Sequence, residues 1–180
     1  MSSSKTECQF AVRFKGKSAL VCGAGGGIGL ATANQLLATG IDVALADIKD
    51  QPADIANGPG QATYYQGDLS DEAFVSQLAA DVAAAQGGID YLVNTTGVLW
   101  FDRDRSVLEM DMDTWDQVFQ INLKSFALSV RHVAEHMRAR GGGAMVHIAS
   151  IDALRGDGKP QDAYGAAKAG IAAFTIIAAR

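Results

Sequence analysis

The sequence predicts an α/β protein, a doubly wound parallel sheet in three layers, α/β/α. Three observations predict it. Short apolar runs alternate with longer stretches of helical periodicity along the chain. The first apolar run ends in a glycine-rich bend that opens directly into a helix. Glycines also stand where helices should stop, at Gly40, at Gly87 and Gly88, and across residues 141–143. Strands joined by helices run parallel, and a parallel sheet needs both faces covered.

The elements follow in order. Ser18 to Cys22 is apolar enough for a buried strand. Ile28 to Thr39 is the first helix, closed by Gly40. Asp42 to Ala46 is the second strand and Ala62 to Gln66 the third. The Ala-rich stretch Asp71 to Gln86 is a helix stopped by Gly87. Tyr91 to Asn94 is the fourth strand. Asp113 to Arg140 forms one long helix, because Trp115, Val118, Phe119 and Leu123 recur at helical spacing. Ala144 to Ala149 is the fifth strand. Pro160 can open a last helix that runs to Arg180. Residues 1–15 are expected to form a polar, mobile leader ahead of one domain, 16–180.

Composition narrows the function. The chain has 180 residues, 48% apolar and 19% charged, enough to bury a real core. Fifteen basic against 20 acidic residues give a formal charge of −5, which argues against a nucleic-acid surface. Two cysteines, Cys8 and Cys22, cannot build a disulfide framework, which suits a reducing compartment. The N-terminus lacks the apolar run of a signal peptide, and the longest apolar stretch, 169–179, is too short to span a bilayer. A soluble, cytoplasmic protein without a membrane partner is expected.

The bend after the first strand is Gly23-Ala24-Gly25-Gly26-Gly27-Ile28-Gly29. Glycines let the backbone turn sharply and approach a pyrophosphate closely. The following helix then offers free N–H groups and a positive dipole end. A glycine-rich turn without a ligand is the plainer alternative. The G-x-G-x-x-G register fails, because position 28 is Ile28. The spacing that fits is Gly23, Gly27, Gly29, or G-x-x-x-G-x-G. Asp47, at the end of the second strand, can accept hydrogen bonds from an adenosine ribose and would repel a 2′-phosphate. Neither Gly25 nor Gly26 supplies a basic side chain for such a phosphate, although Lys49 is near. These residues favour NAD over NADP.

Here the chain resembles the short-chain dehydrogenase/reductases, whose bend usually reads T-G-x-x-x-G-I-G. Cys22 stands where the family has Thr. The resemblance implies a Rossmann-type NAD(P)-binding domain with cofactor contacts from Gly23, Gly25, Gly26, Gly27, Ile28, Gly29 and Asp47. It adds Asp68 and Leu69 beside the adenine, and Asn94 and Gly97 from Asn94-Thr95-Thr96-Gly97, which matches the family's N-N-A-G. Taken alone, that last stretch is an ordinary polar strand end.

Tyr164 and Lys168 stand at i and i+4, on one face of the last helix. An ammonium beside a phenol favours the phenolate, so the tyrosine can exchange a proton near neutral pH. Such a pair is common by chance, and its position behind the fifth strand gives it weight. The resemblance makes Tyr164 the acid/base and, with Lys168, a cofactor contact. Lys168 would tune it and hold the nicotinamide ribose, Ser150 would orient the substrate oxygen, and Asn122 would distort the long helix and hold a relay water. A solvent-exposed Asn122 on a regular helix is the alternative. The implied reaction is hydride transfer between NAD(H) and a small secondary alcohol or ketone, in a homo-oligomer (dimer or tetramer) paired through the long and last helices.

His132-Val133-Ala134-Glu135-His136 spells H-x-x-E-H, but no later Glu completes a zinc site, so no metal is expected. Relatives continue past the catalytic helix with two further strands and a substrate loop. The sheet is therefore expected to lack its last two strands, with the fifth strand at an edge. A non-catalytic dinucleotide-binding module, or an inactive truncated remnant, is the alternative function. Trp100 and Phe101 either line an apolar pocket or pack in the core.

Overall fold

A computed structural model describes residues 13–156 and 158–179. Residues 1–12, which include Cys8 and most of the expected leader, lie outside the described residues, as do Asp157 and Arg180.

Five parallel strands form one sheet: β1 (Ser18–Cys22), β2 (Asp42–Asp47), β3 (Ala62–Gln66), β4 (Tyr91–Asn94) and β5 (Ala144–His147). Their order is β3-β2-β1-β4-β5. Successive side chains of a strand point to opposite faces, and both faces of β1 and β2 are buried. Leu20, Cys22, Ala44 and Ala46 enter one apolar cluster, while Ala19, Val21, Val43 and Leu45 enter the other. That is why these strands are apolar throughout rather than alternating.

Helices supply the two outer layers. From α1 (Gly27–Ala38), Leu30, Ala33, Leu36 and Leu37 cover one face. From α2 (Glu72–Gln86), Val75, Leu78, Ala79 and Val82 cover the other. Asp71 caps α2 by accepting from Ala73 N, and left-handed Gly87 ends it.

The long helix is not uniform. It runs as α3 (Met112–Phe119), one π-helical turn (Gln120–Lys124) and α4 (Ser125–Ala139). The wide turn is centred on Asn122, which is fully buried, so the solvent-exposed alternative is excluded. Most expected boundaries move by one residue at most, and those of β5 and the last helix move by two. β5 ends at His147 rather than Ala149, and Ile148 N makes the last bond to β4, at Asn94 O. The last helix, α5 (Asp162–Ala178), starts beyond Pro160. β3 and β5 are the two edges of the described sheet. Trp100 packs beside Tyr164 against a small apolar cluster of Met110, Val118, Ala163 and Ala167, whereas Phe101 is 66% exposed.

Candidate active site

Strand order reverses about β1, because β1 leads to β2 on one side and β4 lies on the other. Crevices at such switch points open at the carboxyl ends of the strands. A cavity of about 420 Å3 lies there. The glycine bend lines it through Gly23, Gly26, Gly27, Ile28 and Gly29. The ends of the neighbouring strands add Asp47, Asp68, Leu69 and Gly97.

Close approach explains the glycines. Gly23 has φ +83°, which a side chain would strain, and a Cβ there would lie 2.6 Å from Thr96 N. A Cβ on Gly29 would strike the Gly23 carbonyl oxygen. The first turn of α1 has no side-chain cap and no acidic residue, so its N–H groups and positive dipole end face the cavity uncompensated. The Asp47 carboxylate is steadied by Gly25 N (2.8 Å) on one oxygen and Lys49 N (3.0 Å) on the other. Asp68 accepts from Ser70 N and Ser70 Oγ, both at 2.8 Å. The hydroxyl of Thr96, on the cavity wall, is buried without a partner among the described residues. A glycine cradle at a bare helix N-terminus, a carboxylate at the end of β2 and an unsatisfied wall hydroxyl fit a dinucleotide.

Thr95, which the sequence did not single out, braces the bend. Its Oγ1 lies 2.8 Å from Cys22 O and 3.0 Å from Gly23 O and donates to them. Cys22 itself supplies no polar brace. Burial, and then the Asp47 charge, push its thiol up to about 12, so it stays a neutral core residue.

Four of the expected cofactor residues, Gly25, Asn94, Tyr164 and Lys168, are not among those that line the cavity. Gly25 serves it through Asp47. Asn94 lies under the sheet end, where its Nδ2 donates to Ser129 Oγ (2.8 Å) and to His147 Nδ1 (3.0 Å). Its amide is fully engaged in the interior, so its role here is to tie β4 to α4 and β5. His147 therefore accepts at Nδ1, and burial lowers its basicity.

Three of the four expected catalytic residues, Asn122, Tyr164 and Lys168, come together at the Gly97 side of the cavity. Lys168 is 4% exposed, and its Nζ donates to Ile148 O at 2.9 Å. The ammonium lies 5.7 Å from the Tyr164 ring centroid and 5.4 Å from that of Phe126. Burial lowers its pKa from 10.5 to about 8. A Cβ on Gly97 would sit 2.7 Å from Asn122 Oδ1 and 3.4 Å from Lys168 Nζ, which places both side chains against the cavity wall. Asn122 pairs with Val98 as a strand neighbour would, accepting from Val98 N (2.7 Å) and donating to Val98 O (2.9 Å).

Ser150 stands on the turn of Ile151–Ala153, beside α5. A Cβ on Gly165 would be 3.5 Å from Asp152 O. The Ser150 hydroxyl accepts from Asp152 N (3.2 Å) and donates to Asp152 Oδ2 (3.1 Å), so it faces its own turn. The sequence also missed Asp104. Its carboxylate is buried and binds the first N–H groups of α5. It stands in Asp102-Arg103-Asp104-Arg105, a charged run that nothing local distinguishes from a solvated one. The histidines of the H-x-x-E-H segment lead elsewhere: His132 Nε2 lies 3.3 Å from Glu72 Oε1.

Comparison with known proteins agrees with this geometry. A family model described as short chain dehydrogenase matches residues 17–180. The chain is 35% identical over 170 residues to cis-4-hydroxycyclohexanecarboxylate dehydrogenase of Sinomonas cyclohexanicum, covering 92% of this chain and 67% of that protein. It is 34% identical over 167 residues to 2-dehydro-3-deoxy-L-rhamnonate dehydrogenase (NAD(+)) of Sphingomonas sp. (strain SKA58), covering 92% and 66%. Among solved structures, NAD+-bound xylitol dehydrogenase superposes with a TM-score of 0.83 at 31% identity, covering 91% and 64%. The chain thus spans about two-thirds of the length of these relatives. A bend of this spacing, the Asn122, Tyr164 and Lys168 cluster behind it and a family match over nearly every residue lead to one assignment: the chain belongs to the short-chain dehydrogenase/reductase family.

Proposed function

We propose that the chain binds NAD(H) in the glycine-lined cavity and interconverts a secondary alcohol and a ketone, with Tyr164 as the acid/base. One observation carries this reading. The buried Lys168 ammonium stands 5.7 Å from the Tyr164 ring and against the same Gly97 wall that the dinucleotide cavity shares. A cation is thus held beside the phenol assigned to exchange a proton with the alcohol, at the wall the dinucleotide shares.

When bound, the dinucleotide supplies the hydride acceptor or donor. The chain does the rest. Gly23, Gly26, Gly27, Ile28 and Gly29 receive the pyrophosphate at the α1 N-terminus. Asp47 takes the adenosine ribose and disfavours a 2′-phosphate, which is the ground for NAD over NADP. Asp68 and Leu69 border the adenine. Lys168 holds the nicotinamide ribose and tunes Tyr164. Ser150 reaches the substrate oxygen by turning its hydroxyl away from Asp152. The Asn122 side chain is committed to Val98, so it would hold a relay water by giving up one of those bonds.

The substrate belongs to the small alcohols and ketones, as the names of the relatives suggest. A homo-oligomer, dimer or tetramer, fits the apolar groove of Phe119, Leu123, Ala127, Phe174 and Ile177 between α3–α4 and α5. None of the helices among the described residues is long and apolar enough to cross a membrane, and a cytoplasmic location for the domain 16–180 remains part of the proposal.

Fluorescence titration with NADH, paired with turnover assays on a panel of secondary alcohols, tests the reading. Tyr164→Phe should keep the NADH affinity and lose about 100-fold or more of the rate. Binding without turnover in the unmodified chain would select the second reading, a non-catalytic dinucleotide-binding module, which the Asp152-bound Ser150 hydroxyl favours.

A further inference from the structure

We propose that Asp104 is a positioning residue for Tyr164: its buried carboxylate pins the first turn of α5, and with it the phenol, to the loop that follows β4. The proposal rests on the assignment of Tyr164 as the proton-transferring residue.

A helix start can be capped cheaply by a side chain at its own N-cap position. Gln161 occupies that position in α5 and makes no capping bond. The cap comes instead from far along the chain. Asp104 Oδ1 accepts from Ala163 N at 3.1 Å, and Asp104 Oδ2 accepts from Tyr164 N at 2.9 Å. The residue is 1% exposed, and no cationic side chain pairs with it among the described residues. Burying a carboxylate without a cation is costly, and two N–H groups at the positive end of a helix are what offset it. Burial raises the Asp104 pKa even so, the two N–H bonds acting against it and the nearby Asp162 charge adding to it.

The contact is one of a laced set. Asp162 N donates to Arg105 O (3.3 Å), and Asp162 Oδ2 accepts from Val107 N (2.8 Å). Three consecutive N–H groups of α5, those of Asp162, Ala163 and Tyr164, thus end on the segment 104–105. Asp104 N in turn donates to Trp100 O at 2.8 Å, and the Trp100 ring packs on the apolar cluster that also holds Tyr164. The loop after β4 and the catalytic turn are therefore one body. A cap serving stability alone would not need to cross from another element into the interior.

Carbon-13 NMR of labelled tyrosine Cζ follows the four phenols separately through a pH titration, with Y164F assigning the Tyr164 line. D104N keeps the side-chain volume and removes one of the two acceptors. It should displace the Tyr164 titration and leave Tyr64, Tyr65 and Tyr91 in place. It should also lower kcat about tenfold, with the NADH Kd unchanged within about twofold, as expected when the reacting group is slightly misplaced. A Tyr164 titration identical to that of the unmodified chain, at whatever change in melting temperature, overturns the proposal and leaves Asp104 a cap for stability. Should D104N not fold, D104E, which keeps both acceptor oxygens on a longer stem, is followed by the same Tyr164 resonance: a displaced titration supports the pin and an unchanged one removes it. If the unmodified chain binds NADH without turning over any alcohol, the reading of Tyr164 as an acid/base fails, whereas the titration still reports separately whether Asp104 sets its surroundings.

Discussion

At the glycine bend the binding surface is made by leaving atoms out; around Tyr164 it is made by burying polar atoms in. At Gly23 and Gly29 the missing side chains let the bend pack closely on itself and on Thr95 and Thr96. The opposite side uses Asp104, Asn122 and Lys168, three buried polar side chains, each tied to main chain from another part of the fold. Asp104 holds Ala163 and Tyr164, Asn122 holds Val98, and Lys168 holds Ile148. The difference teaches which damage each half can bear. The bend is intolerant of added atoms, since a close-packed approach has no slack. The tyrosine side is intolerant of lost atoms, since each removal strands a buried donor or acceptor.

The largest effect should come from the smallest addition. Gly29→Ala puts a methyl group onto the Gly23 carbonyl and against the Thr95 hydroxyl, 2.6 Å away. Backbone cannot yield there without moving the first turn of α1. NADH affinity, read by fluorescence titration, should fall about 100-fold or more, which corresponds to about 3 kcal/mol. Circular dichroism would check that the fold survives. Affinity within a few-fold of the unmodified chain would mean that the bend can open freely, and the contrast between the two halves would disappear.

The same contrast governs what could be read before any coordinates. The bend was legible because its logic is local. Glycines at 23, 27 and 29, a strand before them and a helix after them all lie within one short stretch of chain. Strands β1, β3 and β4 were equally legible, since short apolar or aromatic runs with clear punctuation need no distant partner to define them. The tyrosine side was legible only where a spacing advertised it, as at Tyr164 and Lys168, or where the family resemblance pointed, as at Asn122. Asp104 and Thr95 were invisible. Each acts through a backbone group many residues away, and an aspartate in a charged run, or a threonine at a strand end, looks like a surface residue until the fold closes over it. Asn94 shows the converse. Its motif suggested the ligand, but its side chain faces inward to Ser129 and His147. The break of the long helix into α3, a π turn and α4 was equally hidden from periodicity, because apolar spacing survives one wide turn.

A second way to sharpen the comparison is to remove a charge from the tyrosine side. The folded pKa of Lys168 is lowered from 10.5 to about 8 by burial. A base whose pKa falls on folding binds fewer protons in the native state than in the unfolded state between those two values. Stability therefore rises as pH rises from about 8 to about 10.5, and below about 8 the buried ammonium opposes folding in full. The shift amounts to about 3 kcal/mol. Urea unfolding followed across that window should show the rise in the unmodified chain. Lys168→Met, which keeps an unbranched apolar stem, should abolish that slope. It should also be the more stable protein at pH 7, by less than that amount because the bond to Ile148 O is lost with the charge. Parallel pH profiles for the two proteins would show that the ammonium is as well solvated in the fold as in water, and that the polar interior of this half is not dry.

The smallest effect tests Thr95, a polar side chain that braces the bend from within. Thr95 Oγ1 sits between Cys22 O and Gly23 O, and it fills the space that side chains on Gly23 or Gly29 would need. Thr95→Val keeps that shape and deletes the hydrogen bond. If the bend is governed by shape, the substitution costs only the bond, about 1 kcal/mol in unfolding free energy, and weakens NADH binding by about fivefold. A loss comparable to that of Gly29→Ala would reassign the bend to the other kind of construction. The Thr95 hydroxyl would then be a third polar anchor, equivalent to Asp104 and Asn122, and the glycines would serve mainly to make room for it. The two substitutions are best compared in the same buffer and by the same titration, because the ratio of their effects, more than either value, tells whether space or hydrogen bonding holds the bend.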